Sequence, residues 1–118
     1  MTKKKYLNEF DATLQFIQGK WKVIILYELY EHSSRRFGEL HRYIQDISHK
    51  TLTNQLRELE EDGLVTRTVF PEVPPRVEYT LTAKGHSLIP LLEMICDWGL
   101  QHVDRNDMDR LLCEEEEV

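Results

Sequence analysis

Apolar side chains recur along most of this chain at helical spacing. Residues about 8–18 carry Phe10, Leu14 and Ile17 at i, i+4 and i+7, which predicts a first helix, and Gly19 interrupts it. Residues 20–31 form a second, with Trp21, Val23, Ile24, Ile25, Leu26 and Leu29 distributed nearly all round. A helix apolar on most sides is buried on most sides, so this is the expected centre of the core. His32-Ser33-Ser34 ends it. A short helix at about 36–44 turns Phe37, Leu40 and Ile44 inward, and Gln45 to Ile47 make a tight turn. Ser48 stands where an N-cap belongs, its hydroxyl able to accept from the unpaired N–H groups of a helix at 49–62. Gly63 and Leu64 after that helix match a glycine C-cap.

The pattern then changes. Residues 64–70 and 76–81 read as strands, the second with Val77, Tyr79 and Leu81 alternating with Arg76, Glu78 and Thr80. Between them Pro71-Glu72-Val73-Pro74-Pro75 makes a stiff tip with few backbone donors. Thr82 is a candidate cap for a long last helix, about 83–103, with Leu88, Leu91, Leu92, Ile95, Trp98 and Val103 inward and Pro90 bending it. Two helices joined by a short turn and followed by a hairpin predict a winged helix-turn-helix. The fold class is mainly α with a small β-hairpin, flanked by long N- and C-terminal helices suited to dimerisation. Residues 1–7 read as a basic N-terminal arm, 8–103 as the domain and 104–118 as an acidic tail.

The helix at 49–62 has two faces. Leu52, Leu56 and Leu59 define its core side, and Lys50, Thr53, Asn54 and Arg57 cluster opposite at i, i+3, i+4 and i+7. That set suits a major groove: Lys and Arg can take guanine O6/N7, Asn can pair with adenine, and Thr offers a hydroxyl and a methyl. Ser48, His49 and Thr51 complete the N-terminal end, the end that enters the groove in helix-turn-helix docking. Glu58, Glu60, Glu61 and Asp62 lie at the other end. Arg35 and Arg36 at the entry to the short helix are candidate phosphate clamps, and Arg67 and Arg76 flank the wing tip. Glu72 at the tip opposes a phosphate contact there.

A formal net charge of −6 looks wrong for a nucleic-acid binder until it is located. Residues 104–118 hold seven acids against two bases, whereas Arg35 to Arg57 hold five bases against two acids. No run of about 18 apolar residues offers a membrane span, and the basic Met1-Thr2-Lys3-Lys4-Lys5 start lacks the apolar stretch of a secretory signal. The two cysteines, Cys96 and Cys113, form no C-x-x-C pair, which argues against a disulfide scaffold or a zinc site and fits a reducing cytoplasm. Cys96, among apolar neighbours, reads as an inert buried thiol, and Cys113 as an exposed thiol made less reactive by nearby carboxylates. The five histidines show no metal-ligand spacing, and no nucleophile–base set can be argued, so an enzyme is not expected and neither is a cofactor.

Six ordered blocks carry a family resemblance: Gly19 to Lys22, Arg35 to Leu40, Ile47 to Leu52, Leu56 to Val65, Pro71 to Tyr79 and Leu81 to Gly85. Over residues 7–103 the chain resembles the HxlR-type regulators, which are similar in turn to MarR-like winged helices. The resemblance implies a bacterial, dimeric, cytoplasmic regulator bound to an inverted repeat, reading the major groove with 49–62 and using 71–76 as the wing. Many members carry a cysteine just before the first helix for thiol-based sensing; the corresponding position is about Leu7, with no cysteine nearby.

Phe10, Leu14, Ile95, Trp98 and Val103 exceed what one small core can hide and are the expected homodimer interface. Such a dimer presents two recognition helices to double-stranded DNA about one helical turn apart, roughly 34–36 Å. Two alternatives stand beside this reading: a winged helix that binds protein and not DNA, and a regulator with an effector pocket at the dimer interface, for which no residue names a ligand.

Overall fold

The computed structural model describes residues 5–113. The basic Met1–Lys4 start and the Glu114–Glu117 acidic run, read above as a solvated end, lie outside the described residues. Asn8 opens the first helix, α1 (Glu9–Ile17), by accepting from the Asp11 N–H at 2.9 Å. The second, α2 (Lys22–His32), is the central element, with Ile25, Leu26 and Leu29 fully buried. A two-residue strand, β1 (Ser34–Arg35), follows it, then α3 (Phe37–Ile44) and α4 (His49–Glu61). The hairpin is β2 (Val65–Phe70) and β3 (Arg76–Leu81), joined through a cis Val73–Pro74 peptide. Two helices, α5 (Ala83–Ser87) and α6 (Ile89–His102), and a 3-10 turn at Arg105–Asp107 complete the described chain.

The sheet is three-stranded and antiparallel, in the order β1-β3-β2. Arg67 of β2 and Arg35 of β1 both pair with Tyr79 of β3, from opposite sides. Nothing in the sequence marks a strand at 34–35; two residues are too few to show a period. One core collects Ile25, Leu26 and Leu29 from α2, Leu40 and Ile44 from α3, Leu52, Leu56 and Leu59 from α4, and Leu64, Val65 and Tyr79 from the wing. It also holds ions. Lys22 is buried and pairs with Glu58 of α4 at 3.4 Å. Glu28, 2% exposed, faces Arg35 Nε at 3.2 Å and His32 at 3.4 Å. Burial pushes the Glu28 carboxyl above its ordinary range, and His32 and Arg35 pull it back.

Three sequence expectations need correction. The last helix is not one bent rod. Pro90 has no N–H to give the preceding turn, so α5 ends at Ser87 and a new helix starts at Ile89 with proline in its first turn. Its apolar residues do not all face inward either. Ile89 and Leu92 are buried, but Ile95, Trp98 and Val103 are 49%, 63% and 39% exposed. Finally, Cys96 and Cys113 are not two separate thiols: they are joined as a disulfide with Cα atoms 5.8 Å apart. Residues 104–113 curve back from α6 and bring together two cysteines with no motif spacing.

Candidate nucleic-acid interface

The recognition element is built from its supports outward. The Ser48 hydroxyl accepts from the Thr51 N–H at 3.1 Å and donates to Thr51 Oγ1 at 2.9 Å, closing the first turn of α4. Leu52, Leu56 and Leu59 anchor the helix on the core. The turn from α3 uses Gln45 at φ +70°, whose N–H donates to the His41 carbonyl at 3.1 Å. His41 Nε2 contacts the Ile47 carbonyl at 2.9 Å. Phe37 packs against His49, with ring centroids 4.5 Å apart, and lies near-parallel to His41. This aromatic group packs α3 against the start of α4. Of this cluster only the Phe37–His41 pair, at i and i+4, has a spacing legible in the sequence; His49 stands beyond the turn, on the next helix.

At the other end, Gly63 (φ +75°) reverses the chain. Lys84 Nζ donates to the Asp62 carbonyl at 3.0 Å, supplying a cation and a donor to the negative end of α4. Thr82 Oγ1 donates to the Gly63 carbonyl at 2.6 Å and accepts from the Gly85 N–H at 3.0 Å. The Leu81-Thr82-Ala83-Lys84-Gly85 block is therefore a clasp on the C-terminus of α4.

With α4 held at both ends, its outer face carries Lys50, Asn54 and Arg57 exposed. Among the described residues none of the three has a side-chain hydrogen bond or ion pair. Thr53 is half-buried and its hydroxyl donates to the His49 carbonyl at 2.9 Å. Arg57 and Arg67 line one cleft of about 380 Å³ between α4 and the wing, shared with Thr53, Leu56, Glu60 and Tyr79.

The other arginines differ sharply. Arg36 is exposed and its N–H donates to Glu39 Oε1 at 2.9 Å, capping α3; this bond is the first reason the Glu39 carboxyl lies below its ordinary range. Arg35 pairs with Glu39 at 3.0 Å as well as with Glu28. Arg76 pairs with Glu78 at 3.1 Å and Glu72 at 3.7 Å, and its guanidinium lies 4.1 Å over the Phe70 ring. Both guanidinium charges are thus balanced inside the chain. Two of these pairs, Arg35 with Glu39 and Arg76 with Glu72, are four residues apart in sequence.

An HxlR-like helix-turn-helix model matches residues 16–107, which span the whole arrangement just described. The chain belongs to the HxlR-like helix-turn-helix family. Among its relatives is the HTH-type transcriptional regulator YtcD of Bacillus subtilis (strain 168), 48% identical over 118 residues, covering 100% of this chain and 93% of that protein. A crystal structure of ytcD superposes with a TM-score of 0.79 at 46% identity, covering 84% of this chain and 100% of that one. The redox regulator HypR in its oxidized form superposes with a TM-score of 0.78 at 42% identity, covering 82% and 99%. HxlR-like proteins of this kind are transcriptional regulators and not enzymes. Among the described residues no helix is long and apolar enough to cross a membrane.

Proposed function

We propose that this regulator is a cytoplasmic repressor that acts as a homodimer on an inverted-repeat operator. The observation that carries the DNA-contact reading is the outer face of α4. Lys50, Asn54 and Arg57 are exposed and uncommitted on the N-terminal two-thirds of a helix whose acids lie toward its other end. Uncommitted donors keep their full hydrogen-bonding capacity for base edges. Ser48, His49, Thr51 and Thr53 shape the leading turn. Arg36 and Arg67 serve the phosphates, with Arg67 sharing the cleft beside Arg57. Arg35 and Arg76 act mainly by holding α3 and the wing in place, since carboxylates already balance their charge.

The dimer reading rests on the outer apolar surface. Phe10 and Leu14 of α1 are 78% and 56% exposed, and Met94 and Trp98 of α6 are similarly bare. Exposed aromatics of this size on two terminal helices are what a second copy would cover, and pairing them gives the operator its two-fold symmetry.

Selection of a preferred sequence from a random duplex library, followed by a salt series on the winner, tests both parts. The expected results are a palindromic preference and an affinity whose logarithm falls steeply with log[salt]. A flat salt response with no selected sequence would favour a winged helix that binds protein.

A further inference from the structure

The segment after α6 is fastened at two places that the DNA-contact reading does not use. Covalently, Cys113 is joined to Cys96 in the middle of α6. Through Arg110, it reaches the helix-turn-helix: Nη1 donates to the Tyr43 carbonyl at 2.6 Å, and the guanidinium sits 4.7 Å over the Tyr43 ring. The Tyr43 carbonyl belongs to the last turn of α3, where carbonyls lack helical partners and the dipole favours a cation. The next residues are Ile44 and the Gln45–Ile47 turn into α4. Beside these fastenings, Met108, Leu111 and Leu112 line, with Val23 and Tyr27 of α2, an apolar cavity of about 260 Å³. Both cysteines are half-buried residues.

We propose that Cys96 and Cys113 are a reversible redox site, and that their bond acts as a strap coupling α6 to the end of α3. A regulator of transcription works beside DNA, in a compartment where thiols are kept reduced and disulfides, when present, are mostly transient or sensing. The co-reactant is a hydroperoxide or a low-molecular-weight disulfide. With hydrogen peroxide, one thiolate sulfur attacks the O–O bond, which breaks; the sulfur becomes a sulfenic acid and water leaves. The second thiol attacks that sulfur, the S–S bond forms, the S–O bond breaks and a second water leaves. The two sulfurs give up two electrons, and both thiol protons end in water. In reverse, two glutathione molecules supply two electrons and two protons and leave as glutathione disulfide. With the S–S bond broken, Arg110 is no longer held at Tyr43, and the last turn of α3 loses its donor. The coupling stands on geometry and does not require the operator reading; the redox reading rests on the cytoplasmic location proposed above.

Two measurements on the full chain test it. First, the reduced protein is treated with hydrogen peroxide, or equilibrated in glutathione buffers, then alkylated and mapped by mass spectrometry. The expected product is the intrachain 96–113 link, reversed by excess reduced glutathione; glutathione adducts or interchain links as the main products overturn the proposal. Second, amide hydrogen exchange is followed in both redox forms. Residues 40–47 should exchange several-fold faster when reduced. Cys113→Ser should match the reduced form under all conditions, and Arg110→Ala should exchange fast even with the disulfide intact. Equal protection of 40–47 in both redox forms overturns the coupling.

Discussion

Gly85 lies so close to the backbone carbonyl of Leu64 that no side chain fits between them. That carbonyl is not free to retreat, because it accepts from the Thr82 N–H at 3.1 Å. Alanine normally stabilises a helix by about 1 kcal/mol over glycine. Here Gly85→Ala should instead destabilise the protein by about 1–3 kcal/mol, the usual cost of overpacking. Urea denaturation of the two proteins checks it; equal or higher stability in the variant would show that the clasp on α4 yields.

Asn54→Ala and Arg57→Ala should each weaken the selected duplex by about 1–3 kcal/mol and relax base preference at one position. Arg67→Ala should weaken every duplex alike and lower the salt slope by about one. Competition binding on a panel of single-base variants separates the two kinds of effect. Uniform loss for Asn54→Ala would assign that residue to the backbone.

Trp98 is 63% exposed on α6 and lies tilted against His102 with ring centroids 4.7 Å apart. Trp98→Asp places a charge in the proposed interface and should yield a folded monomer by light scattering, with duplex affinity falling along with dimerisation. An unchanged dimer refutes this interface. Because the side chain stands largely outside the single-chain core, the far-UV circular dichroism of the monomer should stay near that of the parent.

Glu39 gives a pH prediction. Its carboxylate accepts from the Arg36 N–H, so its pKa in the fold lies below the ordinary 4.5. A group depressed on folding stabilises the native state above its unfolded pKa, and that contribution fades as pH falls through the lower, folded value. The first turn of α3 should therefore loosen in acid below about pH 4.5. Glu39→Gln should flatten that dependence, as followed by NMR of the Arg36 and Phe37 amides.

What the sequence disclosed and what it withheld divide along one physical line. Helix periods and caps are local, and they located α1, α3, α4 and both wing strands within a residue or two. Ser48 and Gly63 marked the ends of α4 by chemistry that operates over three or four residues. The polar face of α4 followed from the same period. Partners far apart in sequence were not legible. Lys22 with Glu58 and Arg110 with Tyr43 depend on tertiary packing, as does the meeting of Cys96 and Cys113. The break at Leu88 was half legible: Pro90 announced a disturbance, but whether a helix bends or restarts depends on what its neighbours can re-satisfy.

The small strand β1 has a consequence for how the chain folds. Its Ser34 hydroxyl donates to Glu78 at 2.7 Å, across 44 residues of sequence. Everything that makes up the recognition unit lies inside that loop: α3, the turn, α4 and the first wing strand. Closing so long a loop carries an entropy cost that is recovered only when the contacts inside it are already forming. β1 therefore joins the sheet late, and its joining marks completion of the whole lobe. Refolding followed by a probe at Ser34 should lag one placed within α4, and no stable intermediate with a finished sheet and an unformed recognition helix should accumulate.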